Sequence, residues 1–179
     1  MRLPMVRRAG YGRLQAHAFL VGAERRQWVQ GHVVAQGLAR TYALAGTRAC
    51  TLELLAAEAA AREARRGLWA EAAYGIRPAD RPAELLRLRA TFQVVEGRVV
   101  RVALVRGTIH VNFDRSWRRG FSVSLRRDEA ALLGEHAGDP KSLEGHVVRV
   151  RGWIERAGGG GPSIDLSRAG ILEVLPAAP

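Results

Sequence analysis

Several residue types are scarce in this sequence, and each scarcity excludes something. Cys50 is the one cysteine among 179 residues, which rules out an internal disulfide framework and any zinc site built on several thiolates. Lysine is equally rare, with Lys141 alone among 28 basic residues. No apolar run approaches the roughly 18 residues that a membrane helix needs, so no membrane partner is expected. Arg2, Arg7 and Arg8 precede no apolar stretch, so the first segment does not read as a secretory signal. The chain as written therefore reads as cytoplasmic, with export expected only if an upstream segment is missing. Acids are thin at the start: from Met1 to Cys50, Glu24 stands against eight arginines. That stretch has almost no carboxylate to hold a metal or act as a base.

Positive charge is abundant. The formal net charge is +11, carried almost wholly by arginine. Arginine's planar fork suits phosphate better than lysine's point charge, and a surface this basic attracts polyanions. A codon-level preference explains the choice of arginine over lysine but not the excess of positive over negative charge. DNA or RNA is the expected partner. The remaining composition, 47% apolar and 25% charged, is that of a folded protein with one ordinary domain or two small ones.

Along the chain, Leu14 to Leu20 reads as a strand. Trp28 to Gln36 has helical spacing in Val29, Val33 and Val34, with Gly37 where a left-handed cap belongs. Leu38 to Leu44 reads as short and extended. Thr51 to Trp69 is rich in Ala, Leu, Glu and Arg and predicts a helix stopping near Gly67, with Leu52, Leu55, Ala56 and Ala59 as its apolar stripe. Glu58 and Arg62, four apart, are expected on its solvated face. Gly75, Pro78 and Pro82 then punctuate a linker. The expected domains are residues 1–73 and 91–176, joined by 74–90, with a helical turn over Glu84 to Arg89.

From Thr91 the apolar period becomes two. Strands are predicted over Phe92 to Ala103, Thr108 to Phe113, Phe121 to Leu125 and Gly145 to Ile154. Ile164 to Leu166 and Ile171 to Leu175 supply a fifth. Val95, Val99 and Val102 are candidates for burial, and Phe121, Val123 and Leu125 fall on one face of the third strand. Arg106-Gly107 is a turn, and Asp128 to Glu135 a short helix capped by Asp128. Three strands, a helix and two strands is the layout of an OB-type barrel, a five-stranded closed sheet.

Three stretches in the first ninety residues carry a family likeness. They are Tyr11-Gly12-Arg13-Leu14 before a strand and turn, V-V-A-Q-G-L-A-R from Val33 to Arg40, and Leu54-Leu55-Ala56-Ala57-Glu58-Ala59 through Arg65-Arg66-Gly67-Leu68-Trp69. In this order and spacing they resemble the second half of the staphylococcal nuclease (thermonuclease) family. The resemblance implies an OB-type barrel that uses calcium to cleave DNA or RNA phosphodiesters, with carboxylates holding the metal and arginines neutralising the transition state. Arg13 matches the family's arginine in the Y-G-R motif and is the candidate catalytic residue. Tyr11 matches a position lining the nucleotide pocket, and Tyr42 lies near the loop that supplies further tyrosines there. The family's metal-binding aspartates, general-base glutamate and first arginine come from strands that precede this segment, and no residue here matches them. The first domain is therefore expected to be an incomplete barrel, inactive or very weak alone, with calcium implied by the family but no metal residue assigned. A barrel lacking its first strands exposes an unpaired edge, which the second domain or another chain is expected to cover.

The second half resembles the small barrel that follows the nuclease domain in some bacterial members. Val94-Val95-Glu96-Gly97-Arg98-Val99, Val111-Asn112-Phe113 and L-E-G-H-V-V-R-V-R-G-W from Leu143 to Trp153 carry that likeness. The expected architecture is mainly β with α (α+β), a partial thermonuclease barrel with its helices followed by a five-stranded OB-like barrel.

Charged and aromatic side chains in this half are candidates for nucleic acid. Trp117, Arg118 and Arg119, with Arg115 nearby, sit between two strands, where tryptophan can stack a base and arginines hold phosphate. A tryptophan packed under a loop edge is the competing reading. Arg149 and Arg151 alternate on one face of the fourth strand, and Arg98 joins them from the first. Such a basic stripe suits a single strand of nucleic acid, and a solvated sheet surface has the same pattern. The five histidines show no metal-ligand spacing and read as surface or strand-face residues. Cys50 lacks a histidine nearby and reads as a small buried residue. Gly158 to Gly161 lacks the Lys-Ser/Thr of a phosphate loop and reads as a plain connection. A basic module that holds single-stranded nucleic acid without cutting it is the alternative to the nuclease reading.

Overall fold

The computed structural model describes residues 7–8, 14–22, 26–43, 50–168 and 170–176. The chain divides into two units, Met1–Thr41 with Arg48–Tyr74 and Tyr42–Thr47 with Gly75–Pro179.

The first unit opens with two short antiparallel pairs. β1 (Arg7–Arg8) pairs with β2 (Leu14–Gln15), and β3 (Phe19–Val21) with β4 (Arg26–Trp28). The single strand expected over residues 14–20 is interrupted because other partners occupy its backbone. The Gln30 side chain accepts from Ala18 N at 3.0 Å and donates to Ala16 O at 2.9 Å. Val29 N donates to Ala18 O.

α1 (Val29–Ala35) follows, and Gly37 has φ +68 as its C-terminal turn requires. Residues 38–43 are irregular, not extended into a strand. α2 runs from Thr51 to Glu63, ending before the expected Gly67; Arg65 and Gly67 both take positive φ, and Gly67–Ala70 forms a 3₁₀ turn. Two backbones cross at this end. Gly37 O accepts from Leu68 N at 2.8 Å, and a Cβ on either Gly37 or Gly67 would enter the other segment's carbonyl.

The buried face of α2 is Thr51, Leu55, Glu58 and Ala61, while Leu52 is 80% exposed. Glu58, expected in solvent, is fully buried. Its Oε2 accepts from Thr41 N at 2.5 Å and its Oε1 lies 3.7 Å from Arg62 Nη1. Thr41 is buried, so its amide needs this acceptor. Removing the carboxylate takes this acceptor from the buried amide and the ion pair from Arg62. Glu58→Ala is expected to cost about 3 kcal/mol in urea denaturation, and Glu58→Gln, which retains an acceptor oxygen, distinctly less.

The second unit begins with β5 (Arg77–Pro78) and α3 (Pro82–Arg87), the latter close to the helical turn read from sequence. β6 (Phe92–Arg98), β7 (Arg101–Val105), β8 (Thr108–Asn112) and β9 (Ser122–Arg126) follow. β10 (Val147–Trp153), β11 (Glu155–Arg156), β12 (Pro162–Asp165) and β13 (Gly170–Val174) complete it. One sheet has the order β13-β10-β6-β5 and the other β11-β12-β9-β8-β7. The expected long first strand passes between them: Val99 N bonds His146 O beside β10, and Val100 N bonds Asn112 O beside β8. β10 and β11 make a similar passage through buried Ile154. β12 runs parallel to β9 and β13 antiparallel to β10, so the expected fifth strand is two strands in two sheets.

The core follows the period-two reading. Val95, Val99 and Val102 are buried with Phe121, Val123 and Leu125, and Leu143, Val148, Val150 and Ile164 join them. Arg106 (φ +50) and Gly107 (φ +80) turn the β7–β8 hairpin in the doubly left-handed geometry that matches strand twist. Between β9 and β10 lie 3₁₀ turns, Arg127–Ala137 and Pro140–Leu143. Asp128 does not cap them; it lies 3.2 Å from Arg126 Nε, an ion pair that takes its oxygen away from the helix end. The fold is α+β, with mostly strands. Among the described residues no helix is long and apolar enough to cross a membrane.

Candidate nucleic-acid interface

The loop from Asp114 to Gly120 leaves the second unit between β8 and β9. Its neck is closed by Phe113 N bonding Phe121 O at 3.1 Å, with the two rings 5.0 Å apart. Inside the loop, Asp114 Oδ1 accepts from Ser116 N at 2.6 Å, and Ser116 O accepts from both Arg119 N and Gly120 N. These bonds satisfy backbone groups locally and leave the side chains outside. Arg115, Trp117, Arg118 and Arg119 are all exposed, Trp117 by 59%. The Arg118 guanidinium stands 5.1 Å from the Trp117 ring centroid.

The glycine run has a role that its sequence does not disclose. Ala157 N bonds Gly161 O, closing a tight loop between β11 and β12. That loop lies flush against the Trp117 loop: a Cβ on Gly159 would meet Arg118 Cα at 3.1 Å, and one on Gly161 would meet Gly120 O at 2.5 Å. Only glycine permits this approach. The run thus backs the arginine loop, and Arg156 at its root is also exposed.

The outer face of β8, β9 and β12 is polar. Asn112, Ser122 and Ser163 are in register across the strands, as are His110, Ser124 and Asp165. The first row adjoins the neck of the Trp117 loop in sequence; its Asn112 and Ser122 are buried and its Ser163 half-buried. Of these residues, His110 was expected on the surface or a strand face.

Other candidates are placed differently. Arg149 donates to Glu96 Oε2 from Nε at 3.0 Å and Nη2 at 2.8 Å. Arg151 is 1% exposed and donates to Glu173 Oε1 at 2.5 Å. These arginines clamp β6, β10 and β13 together and do not form an open stripe. Arg98 is exposed but donates to Gly145 O at 2.5 Å. Tyr42 is 45% exposed and meets Phe92 edge-on at 5.4 Å, while Phe92 meets Trp153, 46% exposed, at 6.2 Å. Tyr11 and Arg13 lie outside the described residues.

The histidines include one close pair: His136 is buried, receives its neighbour His146 at 5.3 Å between ring centroids, and shares a 2.6 Å hydrogen bond with Ser142 Oγ. His17 Nδ1 accepts from Trp28 Nε1 at 3.0 Å. Cys50 is half-buried and takes a left-handed conformation ahead of α2. Calcium takes about six to eight oxygen ligands, several of them carboxylate. Among the described residues, no three His, Cys, Asp or Glu side chains converge on one point. Glu58, the buried acid of α2, is committed to Thr41.

Comparison with known proteins gives one family. Residues 5–71 match the family model described as staphylococcal nuclease homologue. No curated protein matches the chain. Among solved structures, an OBody bound to hen egg-white lysozyme shares 24% identity at a TM-score of 0.36, covering 54% of this chain and 90% of that one. A protein designated an aspartyl-tRNA synthetase from Leishmania major Friedlin shares 7% at 0.38, covering 61% of this chain and 22% of that one.

Proposed function

We propose that this chain, whose residues 5–71 match the staphylococcal nuclease homologue family, binds single-stranded nucleic acid through an OB-type second unit and does not cut it by itself. The observation that carries the reading is the braced Trp117 loop: an exposed indole with guanidinium groups around it, held by local hydrogen bonds against a glycine loop that has no side chains. Trp117 offers a face on which any base stacks, and Arg115, Arg118 and Arg119 neutralise the backbone on either side. In the adjoining row, half-buried Ser163 supplies a neutral hydroxyl for hydrogen bonding. Tyr42 and Trp153 are further exposed rings of the same unit.

Hydrolysis needs an activated water and charge stabilisation at phosphorus, each worth orders of magnitude in rate. The described residues provide guanidinium groups and no carboxylate cluster. The test is incubation of labelled single-stranded DNA and RNA with the full chain, in calcium and in EDTA, beside an Arg13→Ala variant. The expected result is intact substrate and a gel shift that weakens steeply with salt. Calcium-dependent cleavage that falls with Arg13→Ala would show a catalytic site and overturn the non-cutting half of the proposal. Absence of any shift would overturn the binding half.

A further inference from the structure

A second cationic feature is built from other residues, in the segment that leads into β6. The backbone of Arg77 and Pro78 is fixed as a parallel edge on β6, opposite Val95 and Glu96, and Ala79 N bonds Glu96 O at 2.8 Å. The chain then turns into α3. Positions 81, 84, 85 and 88 follow helical spacing and fall on one face. Between that face and β5 lies a cavity of about 270 Å³ lined by Arg77, Arg81, Arg87, Glu84, Leu85 and Leu88, with Pro78 at its edge.

Arginines outnumber carboxylates in this lining, and Arg81 and Arg87 are its exposed cations. Glu84 compensates weakly, because its contact with Arg81 is 3.6 Å long and both side chains are more than half exposed. Leu85 is buried in the core and anchors the helix from below. Leu88 and Pro78 give the cavity an apolar wall as well as a cationic rim. Guanidinium forks match the oxygens of a phosphate dianion, and arginine is favoured where phosphate is held by paired hydrogen bonds. The volume, near the lower end of small-molecule sites at roughly 300 Å³, suits one phosphate with a compact organic group and not a large cofactor.

We propose that this cavity binds a phosphate monoester carrying a nucleoside, either a free mononucleotide or the phosphorylated end of a nucleic-acid strand. The phosphate takes the rim formed by the exposed Arg81 and Arg87, and the sugar or base lies against Leu88 and Pro78. The inference does not rest on the Trp117 loop, and the two are separable by variant.

The experiment is calorimetric titration of the full chain with adenosine 5′-monophosphate, and with short strands bearing either a 5′-phosphate or a 5′-hydroxyl. Saturable binding of the monophosphate is expected. Arg81→Gln with Arg87→Gln, both exposed side chains, should weaken it about tenfold or more while Trp117→Ala leaves it unchanged. A preference for the 5′-phosphorylated strand that vanishes in the double variant would identify the strand end as the source. Equal binding of both strands with retained monophosphate binding would identify the free nucleotide. Failure of the wild-type chain to bind the monophosphate, or undiminished binding by the double variant, would overturn the proposal.

Discussion

Replacing Gly37 by alanine is expected to unfold the first unit at temperatures where the wild-type chain is intact, while the second unit persists. Two penalties coincide at this position. Gly37 has φ +68, a region that costs an alanine roughly 1 kcal/mol. Its Cβ would also be driven into the carbonyl oxygen of Arg66, a backbone atom held by its bond to Trp69 N. Backbone cannot rotate away as a long side chain does, so the crossing must open and the bond from Leu68 N to Gly37 O goes with it. Together these are expected to cost about 3 kcal/mol or more, a large part of what a unit this small possesses. Amide exchange reads the effect by unit: Val34 and Ala61 should lose protection while Val111 and Val150 keep theirs. Gly138→Ala serves as a control, since its φ is −73 and nothing lies within 4 Å of an added Cβ. Equal protection of Val34 in Gly37→Ala and wild type would mean that the crossing is not what holds the unit.

That crossing also shows what a sequence reveals and what it conceals. Gly37 was legible as a helix end because the signal is local: apolar residues at helical spacing, then a residue free to take positive φ. Its partner at Gly67 was legible only as a stop. That the two glycines pass each other is a fact about segments thirty residues apart, with no local signature. Glu58 was misread for a related reason. A glutamate four residues before an arginine looks the same whether the pair is wet or buried, and what decided it was the amide of Thr41 seeking an acceptor.

The strands repeat the lesson. Period two placed Val123 and Leu125 on one face, because a half-buried strand alternates, and that face is the buried one. It also placed Arg149 and Arg151 together on one face, without saying whether that face meets solvent. β13 lies alongside β10 and supplies Glu173, while β6 supplies Glu96 from the other side, so the stripe became two internal ion pairs. The Trp117 loop was legible only in part: tryptophan among arginines suits an exposed stacking ring or a ring packed under a loop edge, and it is the loop's own hydrogen bonds that leave the ring outside. Its brace was not legible, because four glycines in a row look like slack until the neighbouring loop is seen lying on them.

Trp117 and its neighbouring arginines should separate into two kinds of effect when nucleic-acid binding is measured against salt. Stacking of one base on an indole contributes about 1–3 kcal/mol and does not depend on counterions. Trp117→Ala is therefore expected to weaken binding of a labelled oligothymidine about tenfold or more, as a vertical offset in a plot of log affinity against log salt. Trp117→Phe, which keeps a stacking face, should recover part of it. Arg118→Ala with Arg119→Ala should act through phosphate, flattening the slope by about 0.7 for each phosphate of a single strand that is no longer neutralised. Their effect is then largest at low salt and fades as salt rises. Gly161→Ala gives a third signature without substituting Trp117, Arg118 or Arg119, because its Cβ would press on Gly120 O and displace the loop that carries all three side chains. It should lower affinity while the protection of the β6–β10 pair is unchanged. Parallel offsets from all of these variants would point to general loss of positive charge or of fold. An unaltered affinity in Trp117→Ala would remove the stacking interaction on which the interface depends.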